Sequence, residues 1–170
     1  MSDQMRLAVL ASIVLVGVLL SACGSSQTVR VSMSEWSLTV DDESISSGAI
    51  TFKPVLSRGF GDCPIGQPGG CTVSDPECVD FPCGPHELVV VKTNLRETEL
   101  PRLDNGALDE TGEGVIVTDR LFEFTSDDRA TLSTKLEPGN YVLLCNLVEQ
   151  RDGETVSHFQ RGMFTFLRVD

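Results

Sequence analysis

LEPGNYVLLC, residues 136–145, is the stretch of sequence that decides the fold. Pro138-Gly139 is a turn signal, and the apolar run Tyr141 to Leu144 that follows it has the length of a strand. Cys145 ends that strand. After the first 22 residues the chain shows no helix-length apolar repeat of about 3.6 residues, whereas short strand-like runs recur. The stretch therefore predicts a β-strand that ends in a cysteine, within an all-β domain.

Similar short runs lie on both sides of this stretch. Leu88 to Val91 is an unbroken apolar run, which is typical of a strand buried on both faces of a sheet. An alternation of apolar and polar residues slips near Ser34-Glu35, and the slip predicts a β-bulge or a bend. The candidate strands number about seven or eight and predict an antiparallel β-sandwich. The other candidates are Val29 to Val40, which contains the slip, Ile50 with Phe52, Val115 with Val117, Leu121 to Phe124, Ala130 to Leu136 and Met163 to Val169.

The N-terminal segment predicts export and lipid attachment. Leu7 to Leu20 is a run of apolar or small residues that is short for a membrane span of about 20 residues, so residues 1–22 are interpreted as a signal peptide. Leu20-Ser21-Ala22-Cys23 resembles the bacterial lipobox, in which cleavage precedes the cysteine and Cys23 is acylated. An ordinary signal peptide or an uncleaved anchor is the alternative. Residues 23–28 then form a flexible tether, and residues 29–170 form one domain of ordinary size.

Four of the six cysteines lie in an insertion, residues 57–85, that is rich in glycine and proline. They are Cys63, Cys71, Cys78 and Cys83, with the spacing C-x7-C-x6-C-x4-C. An insertion without an apolar core of its own is typically held by disulfides, and the spacing favours two disulfides over a zinc site. Of the three possible connectivities, we favour the sequential one.

The remaining cysteine, Cys145, is alone and distant, and in an oxidising compartment such a residue needs burial, reactivity or a metal. The chain has two histidines: His86 opens a buried strand and His158 precedes the last one. Met163 follows with the spacing His-x4-Met. Each of these residues alone is more often structural than functional. Two imidazoles, one thiolate and a weak thioether together form the ligand set of a blue-copper centre.

These motifs resemble the cupredoxins, the plastocyanin and azurin superfamily, over most of residues 29–170. The resemblance implies a Greek-key sandwich with one type 1 copper held by His86, Cys145, His158 and Met163. It also implies that His158 lies near the surface as an electron port, with Phe159 beside it as a candidate docking patch. The matching segments are Glu35-Trp36, residues 46–52, residues 86–90, residues 136–146 and His158-x4-Met163.

Two features depart from the family pattern. Twelve residues separate Cys145 from His158, where members commonly have far fewer, and Arg151 to Glu154 is predicted to be the tip of an extended hairpin loop. Many members have an asparagine directly after the first histidine, where it braces the cysteine loop by hydrogen bonding. This chain has Glu87. Both departures concern the geometry of the copper site, because groups around the ligands orient them.

The leading functional hypothesis is a copper protein that carries single electrons between redox partner proteins at the outer face of the cytoplasmic membrane. The alternatives are copper capture or delivery, which the scarcity of methionine and histidine disfavours, and a metal-free interaction module. A copper enzyme would need further histidines, so we expect no enzymatic activity. The net charge of −12 disfavours a nucleic-acid partner, although it permits docking on a basic protein or serves solubility. We expect a monomer.

Overall fold

The computed structural model describes residues 26–34, 36–56, 86–124, 130–151 and 153–170. Within these ranges no helix is long and apolar enough to cross a membrane. A single 3-10 turn covers Glu97–Glu99. The strands are β1 (Gln27–Ser34), β2 (Ser37–Val40), β3 (Ser44–Ile45), β4 (Gly48–Leu56), β5 (His86–Lys92), β6 (Ile116–Phe124), β7 (Leu132–Leu136), β8 (Gly139–Leu144), β9 (Val148–Arg151), β10 (Glu154–Ser157) and β11 (Phe164–Val169).

Several predictions concern residues outside the described ranges. These are the signal peptide 1–22 with the acylated Cys23, and the insertion 57–85 with its four cysteines. The two disulfides therefore stay a prediction, as does lipid attachment. Among the described residues, Cys145 is a free thiol.

The predicted all-β sandwich is confirmed. One sheet has the strand order β2-β1-β4-β7 and the other has the order β3-β11-β8-β5-β6. Strands β9 and β10 form a separate hairpin. Because β5 and β8 lie in the interior of the second sheet, their backbone groups are paired on both sides.

The pairing is mixed, where the sequence predicted antiparallel strands throughout. Strands β1 and β4 are parallel, and so are β3 and β11. Parallel neighbours need a crossover connection, and β2 and β3 supply it. After β2 the chain passes to the edge of the other sheet as β3 and then returns beside β1 as β4. The short apolar runs show where strands lie, and they do not show such a crossing.

The phase slip near Ser34 is a chain reversal between two strands, so the predicted β-bulge or bend within one strand is wrong at this point. Strands β1 and β2 pair antiparallel, with Ser34 opposite Ser37. Trp36 lies in the turn with φ of 61°. A tight turn between two paired strands interrupts an alternation of side chains in the same way as an extra strand residue does. Irregular pairing occurs instead between β5 and β6, where the register shifts twice.

Two apolar clusters hold the sandwich together. The larger lies between the sheets and includes Val31, Phe52, Leu88, Tyr141 and Leu167. The smaller lies on the outer face of the second sheet, beneath the connection between β5 and β6, and includes Val89, Val91, Leu100, Leu108, Val142, Leu144 and Phe159. Strands β5 and β8 contribute to both clusters, which confirms that the run Leu88 to Val91 is buried on both faces.

Candidate metal centre

Three adjacent strands of the second sheet bring the candidate ligands to one end of the sandwich. His86 is the first residue of β5, and Cys145 directly follows β8. Met163 directly precedes β11. Because β8 is antiparallel to both neighbours, its end lies beside the starts of β5 and β11. The sheet order therefore places residues that are distant in sequence side by side.

The ligand atoms of His86, Cys145 and His158 all lie within 4.8 Å of one another. The Cys145 Sγ atom is 3.9 Å from Nδ1 of His86 and 3.3 Å from Nδ1 of His158. Atoms bound at about 2.0–2.3 Å to one shared ion lie about 3–4 Å apart at trigonal or tetrahedral angles. The three donors are therefore spaced as ligands of a single ion, with Nδ1 of each imidazole directed toward the thiol.

Backbone hydrogen bonds fix the segment from His158 to Met163. The Met163 N–H donates to the His158 carbonyl (3.0 Å), and the Cys145 N–H donates to the Met163 carbonyl (3.0 Å). Met163 is fully buried and belongs to the same apolar cluster as Cys145. The thioether residue is thus anchored directly to the cysteine by the main chain.

The long connection between Cys145 and His158 does not separate the two ligands. Its residues form the β9–β10 hairpin, with Val148 opposite Ser157. The His158 N–H then donates to the Leu147 carbonyl (2.9 Å), which closes the base of the hairpin. The predicted hairpin loop is present. The additional residues form two antiparallel strands that extend away from the loop between the ligands.

The site is closed to solvent, and burial sets the protonation of its groups. Burial lowers the pKa of His86 to about 4, with a smaller contribution from the nearby His158. Burial also raises the pKa of the Cys145 thiol to about 12, although the backbone N–H groups of Glu87 and Leu147 act in the opposite direction. At neutral pH the His86 imidazole is therefore neutral, and a metal that binds the cysteine must displace its proton.

Glu87, which stands where the resemblance stated above would place an asparagine, braces the cysteine loop. Its Oε1 atom accepts a hydrogen bond from the Asn146 N–H (3.0 Å). Its own backbone N–H donates to Cys145 Sγ (3.4 Å). The residue as a whole is 5 % exposed, and burial, partly offset by Arg120, raises the pKa of its carboxyl. The glutamate side chain is long enough for its carboxyl to reach Asn146, the residue after the cysteine.

A ring of polar side chains continues from Glu87 around the cysteine loop. The Arg120 guanidinium contacts Glu87 Oε2 (3.4 Å) and also pairs with Glu110. Glu110 accepts a hydrogen bond from the Asn146 amide (2.8 Å). The same amide group bonds both backbone groups of Leu108. The ring joins β5, β6 and the connection between them to the residue beside Cys145. Sequence reasoning missed Arg120 and Glu110, since neither lies near a ligand in the sequence.

His158 is covered, so its expected position near the surface is wrong. The residue is 4 % exposed. The Trp36 ring packs edge-on against its imidazole, with 5.4 Å between ring centroids, and Glu149 Oε1 lies 3.7 Å from its Nε2 atom. The turn before β2 and the extended hairpin supply these two covering groups. The local sequence around His158 contains neither of them.

Phe159 is also buried, which contradicts its interpretation as a docking residue. Its side chain has no exposed surface and belongs to the outer apolar cluster. The Phe164 ring lies 5.3 Å from it, and the Arg102 guanidinium lies 5.1 Å from its centroid. The residue next to His158 points into the second cluster because the turn that follows the histidine packs against the outer face of the sheet.

Copper fits this donor set better than other common metals. Thiolate and thioether are soft ligands that suit Cu(I), whereas imidazole binds both Cu(I) and Cu(II). The buried cluster and the adjacent methionine would hold one type 1 copper ion. A structural zinc site would more often show four ligands drawn from cysteine and histidine, whereas three such residues occur together in the part of the chain that the structure describes.

The comparison with known proteins shows similarity in backbone structure alone. No protein-family model matches the chain, and no curated protein matches it. Dithionite-reduced auracyanin from the photosynthetic bacterium Roseiflexus castenholzii is 17% identical, with a TM-score of 0.44 over 86% of this chain and 99% of that chain. Reduced rusticyanin is 14% identical, with a TM-score of 0.46 over 86% and 81%. The functional assignment therefore depends on the residues of the site.

Proposed function

We propose that this chain is a type 1 copper protein of the cupredoxin kind that carries single electrons between redox proteins. The observation that carries the proposal is the cluster of His86, Cys145 and His158, buried together at one end of a rigid sandwich. A bound copper ion would supply the one-electron couple between Cu(I) and Cu(II). Met163, anchored beside the cysteine, completes the donor set.

The residues around the ligands keep the geometry constant between the two oxidation states. The Glu87 N–H bonds the sulfur, and the Glu87 carboxyl holds the residue that follows the cysteine. The backbone bonds from His158 and Met163 fix the other ligands. Because these groups are held by the chain itself, few atoms have to move when the charge of the site changes, and electron transfer is fast.

The alternatives account less well for this site. A protein that delivers copper must release it, and full burial of all four ligand residues slows release. A copper enzyme needs further histidines, and the two in the chain both belong to this site. A metal-free interaction module gains nothing from burying two imidazoles and a thiol together, because buried polar groups cost free energy.

We also propose that Cys23 is acylated and tethers the protein to the outer face of a bacterial cytoplasmic membrane. The support is the sequence Leu20-Ser21-Ala22-Cys23 after an apolar run. A tether of this kind restricts diffusion to the membrane surface and raises the effective concentration near membrane-bound redox partners.

Addition of Cu(II) to the purified protein tests the copper site. We expect an intense visible thiolate-to-copper charge-transfer band, one copper per chain, and a reversible one-electron potential. Replacement Cys145→Ser should abolish the band, since it removes the thiolate. A colourless wild-type protein with weak copper affinity would contradict the proposal and favour the interaction module.

Met163→Leu separates the axial ligand from the other three residues. We expect this variant to keep the band and to change its reduction potential, because the thioether is a weak ligand that tunes the metal. Met33→Leu is the matched control, as Met33 is another fully buried methionine of the same apolar cluster. Equal potentials in the two variants would remove Met163 from the ligand set.

A further inference from the structure

The aromatic ring that covers His158 is itself partly exposed. Trp36 lies against the His158 imidazole with an interplanar angle of 87° and also borders the main core. His158 has almost no exposed surface of its own. Tunnelling through protein falls exponentially with distance, so an electron leaves a buried centre most readily through the ligand that lies nearest the surface. Trp36 continues from His158 toward solvent, because its ring contacts the imidazole and is itself partly exposed.

Two unusual backbone conformations hold Trp36 at this position. Its φ of 61° is rare for a bulky residue and sets the ring at the β1–β2 turn. Gly162, in the ligand segment, has φ of +106°, and a Cβ atom there would lie 3.3 Å from the Trp36 carbonyl oxygen. The absence of a side chain at Gly162 lets the turn approach the segment between His158 and Met163. The position of Trp36 is therefore fixed by the β1–β2 turn and by the segment between His158 and Met163.

Two arginines lie over the same indole ring. The guanidinium carbon of Arg151 is 5.4 Å from the ring centroid and that of Arg161 is 5.5 Å away, both within the range of a cation–π contact. Arg161 is exposed and Arg151 is partly exposed. Glu149 lies 3.4 Å from Arg151 and offsets part of its charge. In a chain with a net charge of −12, two guanidinium groups on the ring beside a copper ligand form a local cationic surface.

We propose that Trp36, Arg151 and Arg161, which we call the Trp36 patch, form the docking surface through which electrons leave the copper site for a partner with an acidic face. The proposal rests on the proposed copper function. A copper ion held by His86, Cys145, His158 and Met163 would supply one electron, and a one-electron acceptor in the partner protein, such as a haem or a second copper, would gain it. Trp36 bridges the two centres without being oxidised, and no proton moves. The arginines attract carboxylates that surround the partner's redox centre, because such charge complementarity speeds and orients encounter.

Oxidation of the copper-loaded, reduced protein by small probes of opposite charge tests the patch. The probes are hexacyanoferrate(III), which is anionic, and tris(phenanthroline)cobalt(III), which is cationic. We expect Arg151→Gln with Arg161→Gln to slow oxidation by the anionic probe about tenfold at low ionic strength. Added salt should reduce the difference, and the cationic probe should not react more slowly.

The matched control is Arg96→Gln with Arg168→Gln, which also removes two positive charges. Both residues are exposed, and they lie near the ends of β5 and β11 that are remote from the copper. This variant should be slowed much less by the same change in net charge. Equal rates for the two double variants would overturn the docking surface. Binding to vesicles of anionic phospholipid that depends on Arg151 and Arg161, without any change in oxidation rate, would assign the patch to a membrane instead.

The role of Trp36 is tested separately. Trp36→Leu should slow oxidation by hexacyanoferrate(III), and Trp36→Phe should restore most of the rate because it retains an aromatic ring. A faster Trp36→Leu variant would mean that the tryptophan shields the histidine, which overturns the proposed route. The charge-transfer band and the potential of every variant are measured alongside. In variants that keep the wild-type band and potential, a change in oxidation rate reports on docking alone. A wild-type protein without the band would overturn the copper function and this proposal together.

Discussion

Burial shifts the pKa values of two candidate ligands on adjacent strands, His86 and Cys145, in opposite directions. His86 loses its affinity for a proton, and its pKa falls to about 4. Cys145 holds its proton more tightly, and its pKa rises to about 12. The histidine is therefore already in the form that binds a metal at neutral pH, while the thiol is converted only when the metal itself stabilises the thiolate. Copper binding should release one proton from this pair.

The pKa of His86 makes the stability of the copper-free protein depend on pH. Its folded value is about 4 against an ordinary value of 6.5, so the unfolded chain binds the proton more readily between these two pH values. The contribution of His86 is fully present above pH 6.5 and is lost as the pH falls through 4. It amounts to about 3 kcal/mol in the free energy of unfolding. Urea unfolding at several pH values measures it.

His86→Gln is the control for this titration. Carboxyl groups titrate in both proteins at low pH, so the difference between their pH profiles isolates the histidine. We expect the free energy of unfolding of the variant to change less between pH 7 and pH 4.5 than that of the wild type. Parallel profiles would show that His86 is solvated in the copper-free protein.

Individual elements explain why part of the structure was predictable from the sequence. The strand β5 was visible as an apolar run, and β8 was visible between Pro138-Gly139 and Cys145. The candidate ligands were identified from composition and order, because a lone cysteine and two histidines at strand ends are uncommon. The hairpin tip near Arg151 was also visible as a polar turn. All of these signals are local in the sequence.

The contacts between elements were not predictable, since no local pattern encodes them. The parallel pairing of β1 with β4 depends on a crossing through the opposite sheet. Arg120 reaches Glu87 because β6 lies beside β5. Trp36 covers His158 because the first turn of the domain packs against its last loop. Side-chain exposure at the site depends on such contacts, which is why the surface exposure of His158 and Phe159 was wrongly predicted.

Replacement Arg120→Met tests the polar ring that joins β5 and β6. Arg120 pairs with both Glu87 and Glu110, so its removal leaves two carboxylates near each other, one of them 6% exposed. We expect the free energy of unfolding to fall by about 2 kcal/mol, less than for a fully buried pair because the arginine is partly exposed. Chemical denaturation measures the loss.

Lys135→Met provides the comparison for that loss. Lys135 pairs with Glu137 on the surface, where both side chains are largely exposed, and its removal should cost less than about 1 kcal/mol. In copper-loaded protein, Arg120→Met should also broaden or shift the charge-transfer band, because Glu87 no longer holds the cysteine loop in one position. Equal losses of stability in the two variants would show that the polar ring stabilises the fold no more than an exposed ion pair does.

Across the whole molecule, copper binding and folding are linked. The sandwich encloses two imidazoles and a thiol in an apolar environment, which costs free energy when no metal compensates for it. The unfolded chain cannot gather these residues, because they come from separate strands and from a loop. A metal that binds only the folded arrangement stabilises the entire domain.

Copper loading should therefore raise the melting temperature of the wild-type protein. A free copper concentration of about one thousand times the dissociation constant adds about 4 kcal/mol to the free energy of unfolding. Removal of the metal by a chelator should reverse the change, as calorimetry can measure. Cys145→Ser should show little copper-dependent stabilisation, since the thiolate is lost. An equal shift in both proteins would place the stabilising metal elsewhere.

In the segment between Cys145 and His158, the base of the β9–β10 hairpin sets the spacing of the ligand residues, whereas the tip of the hairpin can vary in length and sequence. Its base is closed by the bond between His158 and Leu147, so the distance between the ligands does not depend on the number of residues beyond that bond. Paired insertions or deletions near Gly153 leave the register at the base intact. The tip of the hairpin beyond Glu149, which contacts His158, is thus a modular site in which natural variation or engineering can change recognition while the contacts of the ligand residues stay constant. A label or a binding peptide placed there reports on partner encounter without altering the colour of the protein.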